Sequence, residues 1–264
     1  MVEFTWRDEA AAGAGPGTGA VILSSFPSAG LAPTVASHYM VRSLKLPRIG
    51  RFESPDLAPV AVVQSGEVNP TIRVYGRPGL GLVLSEFPPL PSQLSPLART
   101  ILDGAERLQA RLIVCLEGVV PHPELDEEDG SSPAAAAPTE NVWVAYSRRE
   151  PALVGAFDRT SARTLEEGVI GGVSGALLVQ GLGRRIPVAV VLVSTRAAEG
   201  LPDHRAGAVL IETLDRLLPE LKIDTGPLRK QAAEIERMLR AAIKTRPTET
   251  EPEAGPPPTT GMYG

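Results

Sequence analysis

Continuous hydrophobic runs alternate with amphipathic stretches along most of this chain, and the alternation predicts strands followed by helices. Apolar runs without polar alternation indicate strands buried on both sides, and they cover residues 20–23, 80–87, 111–119, 142–146 and 187–194. Shorter segments predict further strands at 58–64, 72–75 and 153–157. Helical periodicity predicts helices over 31–44, 93–110, from Asp203 to about 217, and 224–243, with a glycine-rich turn and a buried helix at 168–183.

Strands of this kind interleaved with helices predict an α/β domain whose sheet is mainly parallel and is covered by helices on both faces. We assign this domain to residues 20–245, between a flexible N-terminal segment at 1–19 and a disordered Pro-rich tail at 246–264. The stretch 121–141 is acidic and then rich in Ser, Pro and Ala, which predicts a mobile surface insertion.

Composition narrows the class of protein. A net charge of -5 and the lack of a basic stripe interleaved with aromatic residues argue against binding to nucleic acid or to acidic phospholipid surfaces. The single cysteine, Cys115, excludes an internal disulfide and favours a reducing compartment. No apolar run reaches the roughly 18 residues of a membrane span, and the first 15 residues do not resemble a secretory signal. We therefore expect a cytoplasmic protein.

Candidate catalytic and metal-binding residues are scarce. His38, His122 and His204 each stand apart without a second ligand at metal-binding spacing, so we expect structural or solvated roles. Cys115 lies inside an apolar run and is predicted to be a core residue. The segment 172–176, Gly-Val-Ser-Gly-Ala, departs from the G-x-S-x-G nucleophile pattern, which favours close packing of a helix instead. The sequence therefore predicts no catalytic residue, no metal site and no cofactor.

The residues Met262-Tyr263-Gly264 follow a stretch, 245–261, that is rich in Pro, Thr and Glu and holds no aromatic or branched aliphatic residue. Such a stretch cannot offset its ordering entropy by burial, so it is predicted to be disordered. A tyrosine, a thioether and an ionised terminal carboxylate suit a partner pocket with an apolar slot and a lysine. One such anchor has an affinity of about millimolar to micromolar, so several copies are expected.

Three further segments resemble one protein family in order and spacing. They are Phe-Pro-Ser-Ala-Gly-Leu at 26–31 with the helix that follows, the glycine-rich stretch 168–178, and Leu-Pro-Asp-His-Arg-Ala-Gly at 201–207. Together they resemble the proteasome assembly chaperone family, the archaeal and bacterial relatives of the second proteasome-assembling chaperone, over residues 20–245. Gly207, where the family often has Ala, and the insertion at 121–141 are departures.

The resemblance implies a fold like that of nucleoside phosphorylases without their catalytic residues. It also implies that Met262, Tyr263 and Gly264 match a hydrophobic-Tyr-any motif, which enters pockets between α-subunits of the proteasome core particle. Family members form small homo-oligomers, tetramers or pentamers among them. The implied function is that of a non-enzymatic, ATP-independent proteasome assembly chaperone or activator.

Two alternatives stay open at this point. One is an enzyme acting on a nucleoside or similar small molecule on a phosphorylase-like scaffold, which rests on fold analogy alone. The other is an inert tail on a body that binds some other protein through its surface loops.

Overall fold

The computed structural model describes residues 3–8, 15–64, 66–120, 141–195 and 201–244, with side chains as far as residue 238. These ranges contain eleven strands and six α-helices. The strands are β1 Thr5–Asp8, β2 Val21–Ser25, β3 Arg48–Glu53, β4 Val62–Gln64, β5 Glu67–Asn69, β6 Ile72–Arg77, β7 Leu80–Ser85, β8 Leu112–Val119, β9 Val142–Tyr146, β10 Arg163–Thr164 and β11 Val188–Ser194. The helices are α1 Ala32–Ser43, α2 Pro91–Arg107, α3 Pro151–Asp158, α4 Gly172–Gly181, α5 His204–Leu217 and α6 Gly226–Lys244.

Nine of these strands form one mixed sheet in the order β1-β3-β6-β7-β2-β8-β11-β9-β10. The central strands β7, β2, β8 and β11 are parallel to one another, whereas β1, β3 and β6 extend the sheet with antiparallel pairings and β9 is antiparallel to β11. Strands β4 and β5 form a separate hairpin. The prediction of a mainly parallel sheet is therefore wrong for the flanks, where β1, β3, β6 and β9 have antiparallel neighbours.

Helices cover both faces of the sheet, as predicted. Successive residues of β2 point to opposite faces, so that Val21 and Leu23 join one core and Ile22 joins the other. The first core is closed by α1, α3, α5 and α6, and the second by α2 and α4. The parallel strands are buried on both sides, which explains their continuous apolar sequences.

Residues 4–8 form ordered contacts, which differs from the prediction of a flexible segment at 1–19. Thr5–Asp8 pairs with β3, and Phe4 and Trp6 are buried against α2. Trp6 fits because α2 carries Gly104 at the contact, where a Cβ atom would lie 2.2 Å from the indole. Burial of these two aromatic side chains stabilises the edge strand by about 3 to 6 kcal/mol before ordering costs.

Other elements also differ from the predictions. The run 153–157, predicted as a strand, lies within helix α3, because Pro151 occupies its first turn and Leu153 and Phe157 contact the core four residues apart. Strand β3, which carries three charged residues, was not predicted.

Parts of the predicted domain organisation fall outside the described residues. The described parts of 20–245 contribute to the layers around the large sheet. The predicted insertion 121–141 lies outside the described ranges except for Asn141, and the predicted tail 246–264 lies wholly outside them. Within the described ranges, no helix is both long and apolar enough to cross a membrane.

Candidate functional site

Helix α6 leads to the predicted docking residues, and its first half is fixed to the body. Its apolar seam packs on α5 with Leu228 and Ala232 buried, Ile235 half-buried, and Met238 beside it 62% exposed. Among the seam residues whose side chains are described, burial therefore decreases from Leu228 to Ile235.

The base of α6 is held by a polar clamp, which we define as Glu212, Thr225 and Arg229. Nε and Nη2 of Arg229 donate to the two carboxylate oxygens of Glu212, each at 2.6 Å, and the Thr225 hydroxyl donates to Oε1 at 2.7 Å. The hydrogen bond from Arg229 is the main cause that holds the pKa of Glu212 below its ordinary value. Tyr39 of α1 adds a hydrogen bond of 2.6 Å from its hydroxyl to the Asp224 carbonyl.

The predicted anchor itself, Met262, Tyr263 and Gly264, lies outside the described residues. The structure brings α6 to Lys244, and twenty residues, 245–264, follow it in the sequence. The assignment of these three residues to partner binding therefore stays a prediction.

A cleft lies at the carboxyl ends of the central parallel strands, the edge at which open α/β sheets bind their ligands. It has a volume of about 360 Å³. Its walls come from the segment after β2, the end of β8, the proline pair before α2, and the first turn of α4. The apolar side chains among its lining residues include Phe26, Leu94, Ile170, Val173 and Leu192.

One carboxyl group, that of Glu117 near the end of β8, lines this cleft. The Ser174 hydroxyl donates to its Oε1 at 2.5 Å, and Ser28 also contacts it. Burial raises the pKa of Glu117 above its ordinary value, although the hydrogen bonds from Ser174 and Ser28 oppose this. The group is therefore an acid in an environment that resists its ionisation.

Glycines allow the backbone segments to approach at this point. A Cβ atom on Gly118 would lie 2.1 Å from the Ala29 carbonyl oxygen, and one on Gly175 would lie 2.2 Å from the Ile170 oxygen. The close approach lets the Gly118 N–H donate to the Ser28 hydroxyl at 2.8 Å. The glycine-rich segment 168–183 thus packs α4 closely, as the sequence predicted.

Ser174 and Cys115 occupy structural positions. Ser174 is buried, and its hydroxyl donates to the Glu117 carboxyl group. Cys115 is fully buried, and burial raises the pKa of its thiol far above the ordinary range, so it is a core residue as predicted. The described residues hold no group of three or more His, Cys, Asp or Glu side chains arranged to bind a metal.

The histidines differ in their surroundings. Nε2 of His38 lies 2.9 Å from Oε1 of Glu86, which also pairs with the fully buried Arg73. Burial would raise the pKa of Glu86, but the His38 hydrogen bond and the Arg73 charge outweigh it and the pKa is lowered. His204 is half-buried and its Nδ1 lies 3.2 Å from the Pro202 carbonyl oxygen, and His122 lies outside the described residues.

Sequence reasoning missed Glu117 as a cleft residue. The available signal was a single acid inside an apolar strand, since Leu112–Val119 has no other charged residue. Its partner Ser174 is 57 residues away, so the pairing needed the sheet topology.

Comparison with known proteins gives concordant matches. The family model described as PAC2 family matches residues 22–243. The uncharacterized protein MJ0106 of Methanocaldococcus jannaschii is 24% identical over 220 residues, which cover 83% of this chain and 84% of that protein.

Solved structures share the fold. PbaA of Pyrococcus furiosus, described as an archaeal homolog of proteasome-assembly chaperone, superposes with a TM-score of 0.75 at 22% identity and covers 92% of each chain. PbaB of the same organism, described as an archaeal proteasome activator, gives a TM-score of 0.71 at 19% identity over 92% of this chain and 100% of its own. At these identities the likeness establishes a common fold.

Proposed function

This chain belongs to the PAC2 family, and we propose that it is a proteasome-binding protein that acts as an assembly chaperone or activator without ATP and without catalysis. The proposal is supported by the family match over 22–243 and by the shared fold with PbaA and PbaB, which are described as a chaperone homolog and a proteasome activator. Its buried single cysteine, Cys115, agrees with a reducing, cytoplasmic compartment. The enzymatic alternative rests on fold analogy alone, and no observation on the described residues favours it.

The proposed docking mechanism rests on one observation, the triplet Met262-Tyr263-Gly264 that follows a PAC2 family domain in the sequence. We assign Met262 and Tyr263 to an apolar slot between neighbouring α-subunits of the core particle, and the Gly264 carboxylate to a lysine of that pocket. Burial of the tyrosine contributes about 1.5 to 3 kcal/mol, and the charge-assisted contact about 1.5 to 3 more. After ordering costs, one tail binds weakly.

Several tails on one assembly would compensate for this weakness. We propose that copies of the chain associate as a homo-oligomer, a tetramer or pentamer, so that linked tails gain about a hundredfold to ten-thousandfold in avidity. A polyproline-like stretch of about 17 residues spans about 50 Å, which lets separate tails reach separate pockets. The decrease in burial from Leu228 to Ile235 agrees with a tail that follows this helix in the sequence.

The proposal is tested with Tyr263→Ala in the full chain, which removes the aromatic ring and the hydroxyl. We expect surface-binding measurements with an archaeal-type core particle to show at least about a tenfold loss of affinity, because each docked tail loses its main anchor. The matched control is Thr260→Ala, which shortens a side chain in the same stretch outside the triplet and should bind like the unaltered protein. Equal binding of the Tyr263 and Thr260 variants would contradict the docking mechanism.

A further inference from the structure

The cleft at the carboxyl edge of the sheet is a second feature, independent of the proposed proteasome docking. Within the described residues, Glu117 has hydroxyl partners and forms no ion pair with a cationic side chain. A largely buried carboxylate without a counter-ion is costly, since charged groups inside proteins are normally paired. Here the carboxyl group lines a cleft of about 360 Å³, so a ligand has room to supply the missing cation.

The hydrogen bonds around Glu117 are arranged to make it an acceptor. The Gly118 N–H donates to the Ser28 oxygen, which leaves the Ser28 hydroxyl proton to donate onward to Glu117. Ser174 donates to the same carboxyl group. A carboxylate has about four acceptor positions, so two donors leave about two positions for a ligand that brings N–H groups.

The remaining walls are apolar, with Phe26, Leu94, Ile170, Val173 and Leu192 around the carboxyl group. A cleft of this composition takes an apolar body and fixes its orientation through one polar contact. We propose that this cleft binds a primary ammonium group carried on a short apolar stem, with Glu117 as its counter-ion.

Among the described residues, the amino end of α4 is the only positive charge in the walls of the cleft. A helix N-terminus carries about half a positive charge, whereas ionised Glu117 carries a full negative one. Ser174, in the first turn of α4, already links the two. The cleft thus keeps a net attraction for a cation and has no comparable attraction for an anion.

The test compares three probes with the same carbon skeleton: 3-methylbutylamine, 3-methyl-1-butanol and 3-methylbutanoate. Ligand-observed NMR titration of the full chain should show saturable binding of the amine and much weaker binding of the alcohol and the carboxylate. A fourth probe, N-acetyl-lysine methylamide, distinguishes the source of the ammonium group. Tighter binding of this probe than of the free amine indicates a lysine of a partner polypeptide, and its exclusion indicates a free small amine; either result supports an ammonium site.

Glu117→Gln keeps the size of the side chain and removes its charge, so it should weaken amine binding by about ten- to hundredfold. The matched control is Glu167→Gln, which removes the same charge from an exposed position close to the cleft residues Val169 and Ile170. Circular dichroism establishes that both variants are folded. Three results would each overturn the proposal. The first is an amine affinity of the Glu117 variant equal to that of the unaltered chain. The others are binding of the alcohol or carboxylate as tight as that of the amine, and no binding of the amine to the unaltered chain. None of these outcomes depends on proteasome binding.

Discussion

Glu117 lines the cleft, and ionisation of its buried carboxyl group lowers the stability of the folded state. Burial opposes its ionisation, and no cationic side chain among the described residues relieves that cost. Cys115, two residues earlier on β8, is the neighbouring titratable group, and its burial keeps it protonated. The negative charge therefore weakens the folded state near neutral pH, which is characteristic of binding sites that trade stability for function.

This cost gives a pH-dependent prediction for Glu117→Gln. Because the folded-state pKa of Glu117 is raised, the folded state holds its proton more tightly than the unfolded chain does, and stability is lost as pH rises from the unfolded pKa through the folded pKa. The variant has no such loss. We expect it to be more stable than the unaltered protein by about 1 kcal/mol near pH 8 and nearly equal to it near pH 4. Chemical denaturation at both pH values measures the difference, and an advantage that is larger in acid would contradict it.

At the level of single residues, the sequence predicted positions that depend on local context. A helix was predicted to start at Asp203, and this residue caps α5, because its Oδ1 accepts from the Ala206 N–H at 2.9 Å. Cys115 was predicted as a core residue from its apolar neighbours. The contact between Glu117 and Ser174 was not predicted from the sequence, because it depends on the packing of α4 against the end of β8.

At the level of elements, α6 is attached by the clamp of Glu212, Thr225 and Arg229 in addition to its seam. Arg229→Gln should lower the free energy of unfolding by about 1 kcal/mol at neutral pH, since it removes a two-point ion pair that is partly exposed. Glu212 has a lowered pKa, so the stabilisation is present above the unfolded pKa and is lost as pH falls through the folded one. The gap between variant and unaltered protein should therefore narrow in acid.

The matched control for this prediction is Arg237→Gln, which removes the same group from an exposed position on the same helix. Urea unfolding near pH 7 and near pH 3 provides the comparison. If the Arg229 and Arg237 variants are equally stable at neutral pH, the clamp does not hold α6.

Elements with long, periodic or uniformly apolar sequences were predictable, and short ones were not. Strand β11 is apolar from Val188 to Val193, β8 is apolar apart from Glu117, and α5 has its polar residues on one side. The run 153–157 has five residues, too few to separate strand from helix, and its helix is set by Pro151 and by packing. Strand β1 depends on partners far along the chain, β3 and Gly104 of α2.

At the level of the whole molecule, a three-layer body is followed in the sequence by the predicted anchor. The mixed sheet with helices on both faces is shared with PbaA and PbaB at TM-scores of 0.75 and 0.71. The antiparallel half of the sheet could not be predicted, because the direction in which two strands pair depends on the path of the connection. The anchor predicted at 262–264 rests on composition and resemblance, and these residues lie outside the described ones.

Proteasome docking can be tested by co-sedimentation of the full chain with an archaeal-type proteasome core particle, beside a chain that ends at Gly261. We predict that the full chain sediments with the particle and that removal of Met262, Tyr263 and Gly264 abolishes this, because no tail can then occupy its pocket. Peptide hydrolysis by the same mixtures separates the two roles, since an activator raises it and an assembly chaperone does not. Equal sedimentation of the full and shortened chains would contradict the claim, and recognition would then belong to the body.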